Sequence, residues 1–430
     1  MNIAVLGMWH LGTVTAGCLA AAGYSVLGYD PDEGTVRALN EGELPVKEPG
    51  LEELVTAGMR KGLLRFSSIP EEISGSDILW VAYDTPVDEE DRADVDLVID
   101  GVCSLFPHIR AGALVISSSQ LPIGSVGLLE EKFRRNYPDR PVSFACLPEN
   151  LRLGKAISVF TNPDRVIAGV RSEKDGKRIA SLLKPFTSNI IWMSVESAEM
   201  TKHALNSFLA TSVTFANELA AICEHYGADA SEVEKGLKSD ARIGPGAYLK
   251  AGNPFAGGTL ARDLNYLLSL GQTKQIPTHL FSAVLQSNNS HKLWARRKLT
   301  EVLGNLGNRK VAVLGLTYKP GTNTLRRSES VAACRWLNEQ GALVSAYDPA
   351  VKSLPEDLAE FILLAPSATE ALRDAHAVVI ATEWPQFRAI TCDDILGYMA
   401  LPEVFDPGRF LDSSLRSDKR IHYLSVGSLT

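Results

Sequence analysis

Two stretches decide the fold: NIAVLG at residues 2–7 and KVAVLG at residues 310–315. Neither alternates apolar with polar residues, which is the pattern of a strand buried on both faces. Each runs into a helical pattern and then into a matching second segment. The first is GYSVLGYDPD at residues 23–32, and the second is GALVSAYDPA at residues 341–350. Strand, helix and strand at this spacing make a βαβ unit, and several in series wind a parallel sheet. The shared YDP tails favour an internal repeat over two unrelated units. SDILWVAYDTP (76–86) and AHAVVIATEWP (375–385) continue the pattern in each half.

Between the halves the texture changes. From Glu196 to Tyr226 no helix breaker intervenes, and Ala204, Phe208, Thr211, Phe215, Leu219, Ile222 and Tyr226 form one stripe at helical spacing. Such a stripe serves either as a face for a second subunit or as core within one chain. Helical patterns resume at 264–270 and 281–303. The expected fold class is α/β: two doubly wound Rossmann-like domains joined by a central all-helical segment with a long helix. The expected boundaries are 1–195, 196–300 and 301–430.

The 430 residues suit two or three domains at ~100–200 residues each. Forty-three basic against 51 acidic residues give a net charge of −8, with no basic run, which argues against a nucleic-acid partner. No apolar stretch reaches the ~20 residues of a membrane span, and the N-terminus reads as no secretory signal. The six cysteines, Cys18, Cys103, Cys146, Cys223, Cys334 and Cys392, are scattered and make no ligand array. They are expected to be free thiols in a cytoplasmic protein that holds no metal.

The first strand is followed by Gly7-Met8-Trp9-His10-Leu11-Gly12. A dinucleotide fingerprint places three glycines here, for a tight turn, for close approach of the pyrophosphate and for close helix packing. Gly7 and Gly12 fit, and Trp9 stands where the middle glycine belongs. Asp30 lies near the ~20-residue offset at which an acid takes the ribose hydroxyls of NAD. The residues thus leave open an NAD site or a Rossmann-shaped domain that binds nothing. In the second half Gly315-Leu316-Thr317 keeps only the first glycine, so a different ligand, or none, is expected there.

A collinear set of further motifs resembles the UDP-glucose/GDP-mannose dehydrogenase family from end to end. It comprises LNEGELPVKEPGLEEL (39–54), Thr85-Pro86, PENLRLGKAI (148–157), NPDRVIAG (162–169) and SAEMTKHALNSFLATSVTFANELA (197–220). DARIG (240–244), AGGTLARD (256–263), GLTYKPGTNTLRRS (315–328) and ATEWPQF (381–387) complete the order. The resemblance implies an NAD-dependent oxidoreductase that converts the C6 alcohol of a nucleotide-diphosphate sugar to a carboxylate through a cysteine-held aldehyde. It implies an N-terminal NAD domain, a helical core that pairs two subunits as a homodimer, and a C-terminal nucleotide-sugar domain.

The family's residues carry over position by position. Glu199, Lys202 and Asn206 share a helix face by spacing, and alone would read as a solvated polar stripe. The resemblance makes Lys202 the helix-borne lysine that meets the reacting oxygen, either as an ammonium or as a proton acceptor. Asn206 becomes the asparagine that holds a water or an oxyanion. Asp263 matches the base that acts on water, and Glu149 the acid of the Pro-Glu segment. Gly7, Trp9, Gly12, Asp30, Thr85, Pro86 and Ser119 fall on cofactor positions. Leu151, Arg152, Arg242, Gly257, Gly258, Lys319 and Arg326 fall on substrate positions, Arg242 being an arginine supplied across the dimer. An arginine fork suits pyrophosphate or sugar hydroxyls.

Departures cluster at the acyl-transfer chemistry. The family's glycine-glycine-cysteine is here Gly257-Gly258-Thr259. A thiol at a helix N-terminus ionises readily, whereas a threonine hydroxyl without an adjacent base is a weak nucleophile. Thr259 is read either as a catalytic hydroxyl in the cysteine's place or, as its residue type favours, as a cap of the helix that follows. Leu153 replaces a glutamate, Gln120 a threonine and Arg262 a lysine, and Pro254 and Ala256 interrupt the glycine loop. Three readings stand: oxidation at C6 that halts at the aldehyde or proceeds without the thiol, a catalytically silent nucleotide-sugar-binding paralogue, or oxidation of a different sugar or carbon.

Overall fold

In a computed structural model, the described residues are 1–86, 93–149, 151–256, 258–326 and 328–428. They fall into two units, Met1–Leu205 and Asn206–Thr430. The first contains β1 (Asn2–Leu6), β2 (Ser25–Tyr29), β3 (Leu64–Ser67), β4 (Ile78–Val81), β5 (Leu114–Ser117), β6 (Ser143–Cys146), β7 (Val166–Gly169) and β8 (Ile190–Met193). Their order across the sheet is β3-β2-β1-β4-β5-β6-β7-β8. All neighbours run parallel except β6 and β7, which are antiparallel. The second unit contains β9 (Lys310–Leu314), β10 (Leu343–Tyr347), β11 (Ile362–Leu364), β12 (Ala377–Ile380), β13 (Glu403–Phe405) and β14 (His422–Leu424). Their order is β11-β10-β9-β12-β13-β14, and every pairing is parallel.

The continuous apolar runs are explained by burial on both faces. Ile3 and Val5 of β1 enter one core, while Ala4 and Leu6 enter the other. In β9, Val311 and Val313 face one core, and Ala312 and Leu314 face the opposite one. A side-chain period of two delivers neighbours to opposite layers, so both must be apolar. Burying each such valine or leucine contributes about 1.5–3 kcal/mol.

The repeat extends to individual hydrogen bonds. Gly7 N donates to Tyr29 O and Gly315 N to Tyr347 O, both at 2.8 Å. Both glycines have positive φ, 90° and 95°. A Cβ on Gly7 would lie 2.8 Å from Tyr83 Cα, and one on Gly315 would lie 2.6 Å from Thr382 N. Backbone approach at the start of the neighbouring crossover therefore requires glycine at both turns.

The long helix spans Val195–Tyr226. Val195 and Ala198 belong to the core of the first unit. Ala210 and Val213 pack with Phe255 and Leu264 in the second. Three of its hydroxyls turn back onto the helix: Thr211 Oγ1 donates to Ser207 O, Ser212 Oγ to Phe208 O and Thr214 Oγ1 to Ala210 O. The stripe read from the sequence faces outward in the single chain, with Phe208, Phe215, Ile222 and Tyr226 each at least half exposed. The helices that follow are Ala230–Ser239, Thr259–Lys274, His279–His291 and Trp294–Leu303. The pattern expected as one run over 281–303 is thus two helices, broken at Lys292 and Leu293.

Candidate active site

In the first unit, β1 sits between β2 and β4, which is the topological switch point of the sheet. Doubly wound folds place ligands at the carboxyl ends of the strands there. Gly7 and Gly12 perform the packing roles expected of them, for a Cβ on Gly12 would overlap Gly7 O at 1.7 Å. Trp9 occupies the cap of the helix His10–Ala21 with φ −86° and ψ −153°, an extended conformation open to any residue. Its indole is 54% exposed, so the domain core does not hold it. Asp30 Oδ2 accepts from Met8 N at 2.7 Å and Oδ1 from Asp32 N at 3.0 Å. Each carboxylate oxygen has two lone pairs, so a ribose hydroxyl can still be accepted. The turn, the helix N-terminus and Asp30 fit a dinucleotide, with the indole in place of a bare backbone at the middle position.

A strut that the sequence did not announce joins this turn to the Pro-Glu segment. Glu48, whose side chain is buried, accepts from Gly154 N at 2.8 Å and Ala156 N at 2.9 Å. It also pairs with His10 Nε2 at 3.1 Å. Burial acts to raise this carboxyl, but the two amides and His10 outweigh it and hold it below its ordinary value.

Lys202 Nζ donates to the backbone carbonyl of Glu149 at 2.6 Å. The Glu149 carboxylate turns back to accept from Leu151 N. Ser119, Gln120, Cys146, Glu149, Glu199 and Lys202 line one cavity. Glu199 is buried there, not solvated as its spacing alone suggested. It accepts from Gly124 N at 2.7 Å and Val126 N at 2.9 Å, capping the helix Ser125–Asn136 from outside. Burial pushes its carboxyl up, against those two amides. His203 Nε2 meets Leu121 O at 2.9 Å, and Thr85 Oγ1 donates to Gln120 O at 2.8 Å. Both fix the loop that carries Ser119. Pro86 is exposed at the edge of the described residues. The Cys146 thiol lines the cavity, but burial raises its pKa and makes it a poor replacement for an ionised cysteine.

In the second unit Asn206 Nδ2 donates to Asp263 Oδ2, and both residues are buried. Two residues predicted from motifs far apart in the chain are therefore direct partners. Thr259 is exposed and begins the helix Thr259–Lys274. It is not the cap expected from sequence: Gly258, with φ 96°, holds that position without a side-chain bond. The positive-φ glycine ends the loop one residue earlier and frees the threonine hydroxyl from capping. Tyr266, missed by the sequence reading, lies near Arg262 and Asp263, and burial pushes its phenol up to about 12. Gly257 lies outside the described residues. Lys319 Nζ lies 5.4 Å from the Tyr318 ring centroid in the loop after β9. Arg326 is exposed, as are Leu153 and Arg152, while Leu151 is half-buried. Arg242 is exposed and paired to Asp240 at 2.7 Å. Among the described residues no cluster has the composition of a metal site.

The fold, with its family match and relatives, defines an NAD-dependent oxidoreductase that acts on the CH–OH of a nucleotide sugar. The chain matches the NAD binding domain of the UDP-glucose/GDP-mannose dehydrogenase family over residues 1–187, the central domain over 196–290 and the UDP binding domain over 312–413, and it belongs to that family. It is 34% identical to UDP-glucose 6-dehydrogenase TuaD of Bacillus subtilis (strain 168), over 96% of this chain and 90% of that relative. It is 32% identical to a UDP-glucose 6-dehydrogenase of Rhizobium meliloti (strain 1021), over 99% of each. A solved UDP-glucose dehydrogenase from Pyrobaculum islandicum superposes with a TM-score of 0.83 at 31% identity, covering 90% of this chain and 91% of that one. Among the described residues no helix is long and apolar enough to cross a membrane.

Proposed function

We propose that this protein oxidises the C6 hydroxyl of a UDP-linked hexose with NAD+ as acceptor. The observation that carries the reading is the bonded Asn206–Asp263 pair, in a chain that keeps all three domains of the family. Bound NAD+ supplies the acceptor for the hydride that leaves C6. Gly7, Gly12 and Asp30 hold it, the indole of Trp9 borders it, and Thr85, Pro86 and Ser119 complete its pocket. Lys202 meets the C6 oxygen as its proton departs, and its bond to the Glu149 carbonyl fixes the ammonium in direction. Asp263, oriented by Asn206, takes the departing C6 proton through a water, while the Lys202 ammonium steadies the oxygen it leaves. Leu151, Arg152, Gly257, Gly258, Lys319 and Arg326 contact the nucleotide sugar, and Arg242 serves the site of a second subunit.

Thr259 limits the second half of the reaction. Its exposed hydroxyl has no thiolate character, so oxidation halts at the aldehyde after one hydride. The functional boundaries follow as residues 1–195 for NAD, 196–300 for pairing and 301–430 for the nucleotide. The exposed stripe Phe208, Phe215, Ile222 and Tyr226 supports a homodimer, since apolar residues so arranged gain by burial against a copy. A cytoplasmic location accords with the six free thiols.

The test is to incubate purified protein with NAD+ and UDP-, GDP-, TDP- and CDP-sugars and count NADH per sugar consumed. One NADH supports the aldehyde product, and two means a complete, thiol-free oxidation. Sugar binding with no NADH refutes the enzyme reading in favour of a silent paralogue, which Trp9 and Thr259 would suit.

A further inference from the structure

The loop that leads into Gly258 and Thr259 is held by three side chains from two different helices. Gly252 N donates to Asn217 Oδ1 at 2.9 Å. Gly252 O accepts from His291 Nε2 at 2.7 Å. Phe255 N donates to Asn288 Oδ1 at 3.0 Å, and Phe255 O accepts from Asn288 Nδ2 at 2.9 Å. Asn217 lies on the long helix, and Asn288 and His291 lie one turn apart on His279–His291. All three are buried. The Asn288 amide thus pairs with the Phe255 backbone as a neighbouring strand would, while the Phe255 ring anchors among Ala210, Val213 and Leu264.

Loops ordinarily satisfy their backbone groups with water, which leaves them mobile. Here four backbone groups of the four-residue stretch Gly252–Phe255 bond to buried side chains in the free protein. That arrangement fixes the loop before any ligand arrives. Pro254 and Ala256 also interrupt the glycines of this stretch, so its own backbone is stiffer than a run of glycine.

We propose that Asn217, Asn288 and His291 are positioning residues that hold residues 250–256 in the shape that receives the nucleotide sugar. The proposal rests on the reading of this loop as a substrate segment. Preorganisation of this kind lowers the ordering cost of binding without touching the reacting carbon.

Asn288→Ala unpairs two backbone groups at once. The KM for the nucleotide sugar is expected to rise about 10- to 100-fold, because binding must then order a loop that the native protein already holds in place. The KM for NAD+ stays at the wild-type value, and kcat changes by less than about threefold. His291→Leu gives a smaller rise, and His291→Gln, whose amide N–H can reach the same carbonyl, restores most of it. Hydrogen exchange of residues 250–256 in ligand-free protein is read alongside, accelerated in Asn288→Ala and His291→Leu and near wild type in His291→Gln. If Asn288→Ala does not fold, the His291 pair carries the comparison. Unchanged exchange in the variants overturns the clamp. Accelerated exchange with an unchanged sugar KM overturns its role in binding. A wild-type protein that binds no nucleotide sugar by calorimetry overturns the substrate reading by itself, and exchange still decides the clamp.

Discussion

Asp229 is a place outside the reaction chemistry where one substitution should cost several bonds at once. It caps the helix Ala230–Ser239, accepting from Ser231 N at 2.7 Å and Ser231 Oγ at 2.6 Å. It also receives Arg409 Nη1 at 3.1 Å and Arg416 Nη2 at 3.0 Å. The Arg409 side chain is 10% exposed and that of Arg416 is 32% exposed. Replacement by alanine removes a cap worth about 1 kcal/mol. It removes a nearly buried charged bond to Arg409, worth about 1.5–3 kcal/mol. The more exposed Arg416 bond adds about 0.5 kcal/mol, since that arginine keeps Asp412 at 3.3 Å. The sum is about 3–4.5 kcal/mol, a fall of about 10 °C in the melting of a domain of this size. Asp229→Asn keeps an acceptor for Ser231 N and should lose about half as much. Burial acts to raise the Asp229 carboxyl, but Ser231 and the two guanidinium groups hold it well below the ordinary range. A depressed carboxyl gives its full stabilisation above the unfolded value of about 4, and the contribution drains away as pH falls below that. Urea unfolding of wild type, Asp229→Ala and Asp229→Asn at pH 7 and at steps down to pH 3 checks both parts. A loss under about 1 kcal/mol at pH 7, or a gap that does not narrow in acid, refutes the reasoning.

Thr259→Cys should raise the yield from one to two NADH per sugar, because a thiol at that helix start ionises where a hydroxyl does not; stoichiometry by absorbance decides it. Trp9→Gly should tighten NAD+ binding by about tenfold if the indole blocks the pyrophosphate and weaken it by a similar factor if the ring packs on the dinucleotide. Either shift in a calorimetric titration places Trp9 at the cofactor, and no shift removes it from the site. If the chain pairs through the exposed stripe as proposed, Phe215→Glu should lower its sedimenting mass from dimer to monomer, since a desolvated carboxylate on a symmetric face costs several kcal/mol; a wild-type monomer, or an unchanged mass in the variant, refutes pairing through this face.

The strands were legible because burial on both faces leaves an unbroken apolar run that needs no partner to be recognised, as in residues 2–6 and 310–314. The long helix was legible for the same reason, its stripe at helical spacing being a local property. Which way that stripe faces was not, because Phe208 and Phe215 look the same in a core and on a surface. Thr259 was read as a cap from its residue type, yet Gly258 takes the cap through a backbone conformation that composition does not encode. Asn217, Asn288 and His291 carry no motif. Their role arises from contacts between residues far apart in the chain, and so does the Glu48 strut to His10 and Gly154.

The sequence alone determined the two βαβ halves, the glycine positions and the helical middle, all of them set by residue type and spacing within a few turns. Tertiary structure decided the rest. It placed Asn206 on Asp263, buried Glu199 as a cap, turned the apolar stripe outward and seated the loop before Thr259 on three buried side chains. The physical reason is that hydrogen-bond partners and burial depend on how distant segments meet in space, and no local period carries that information.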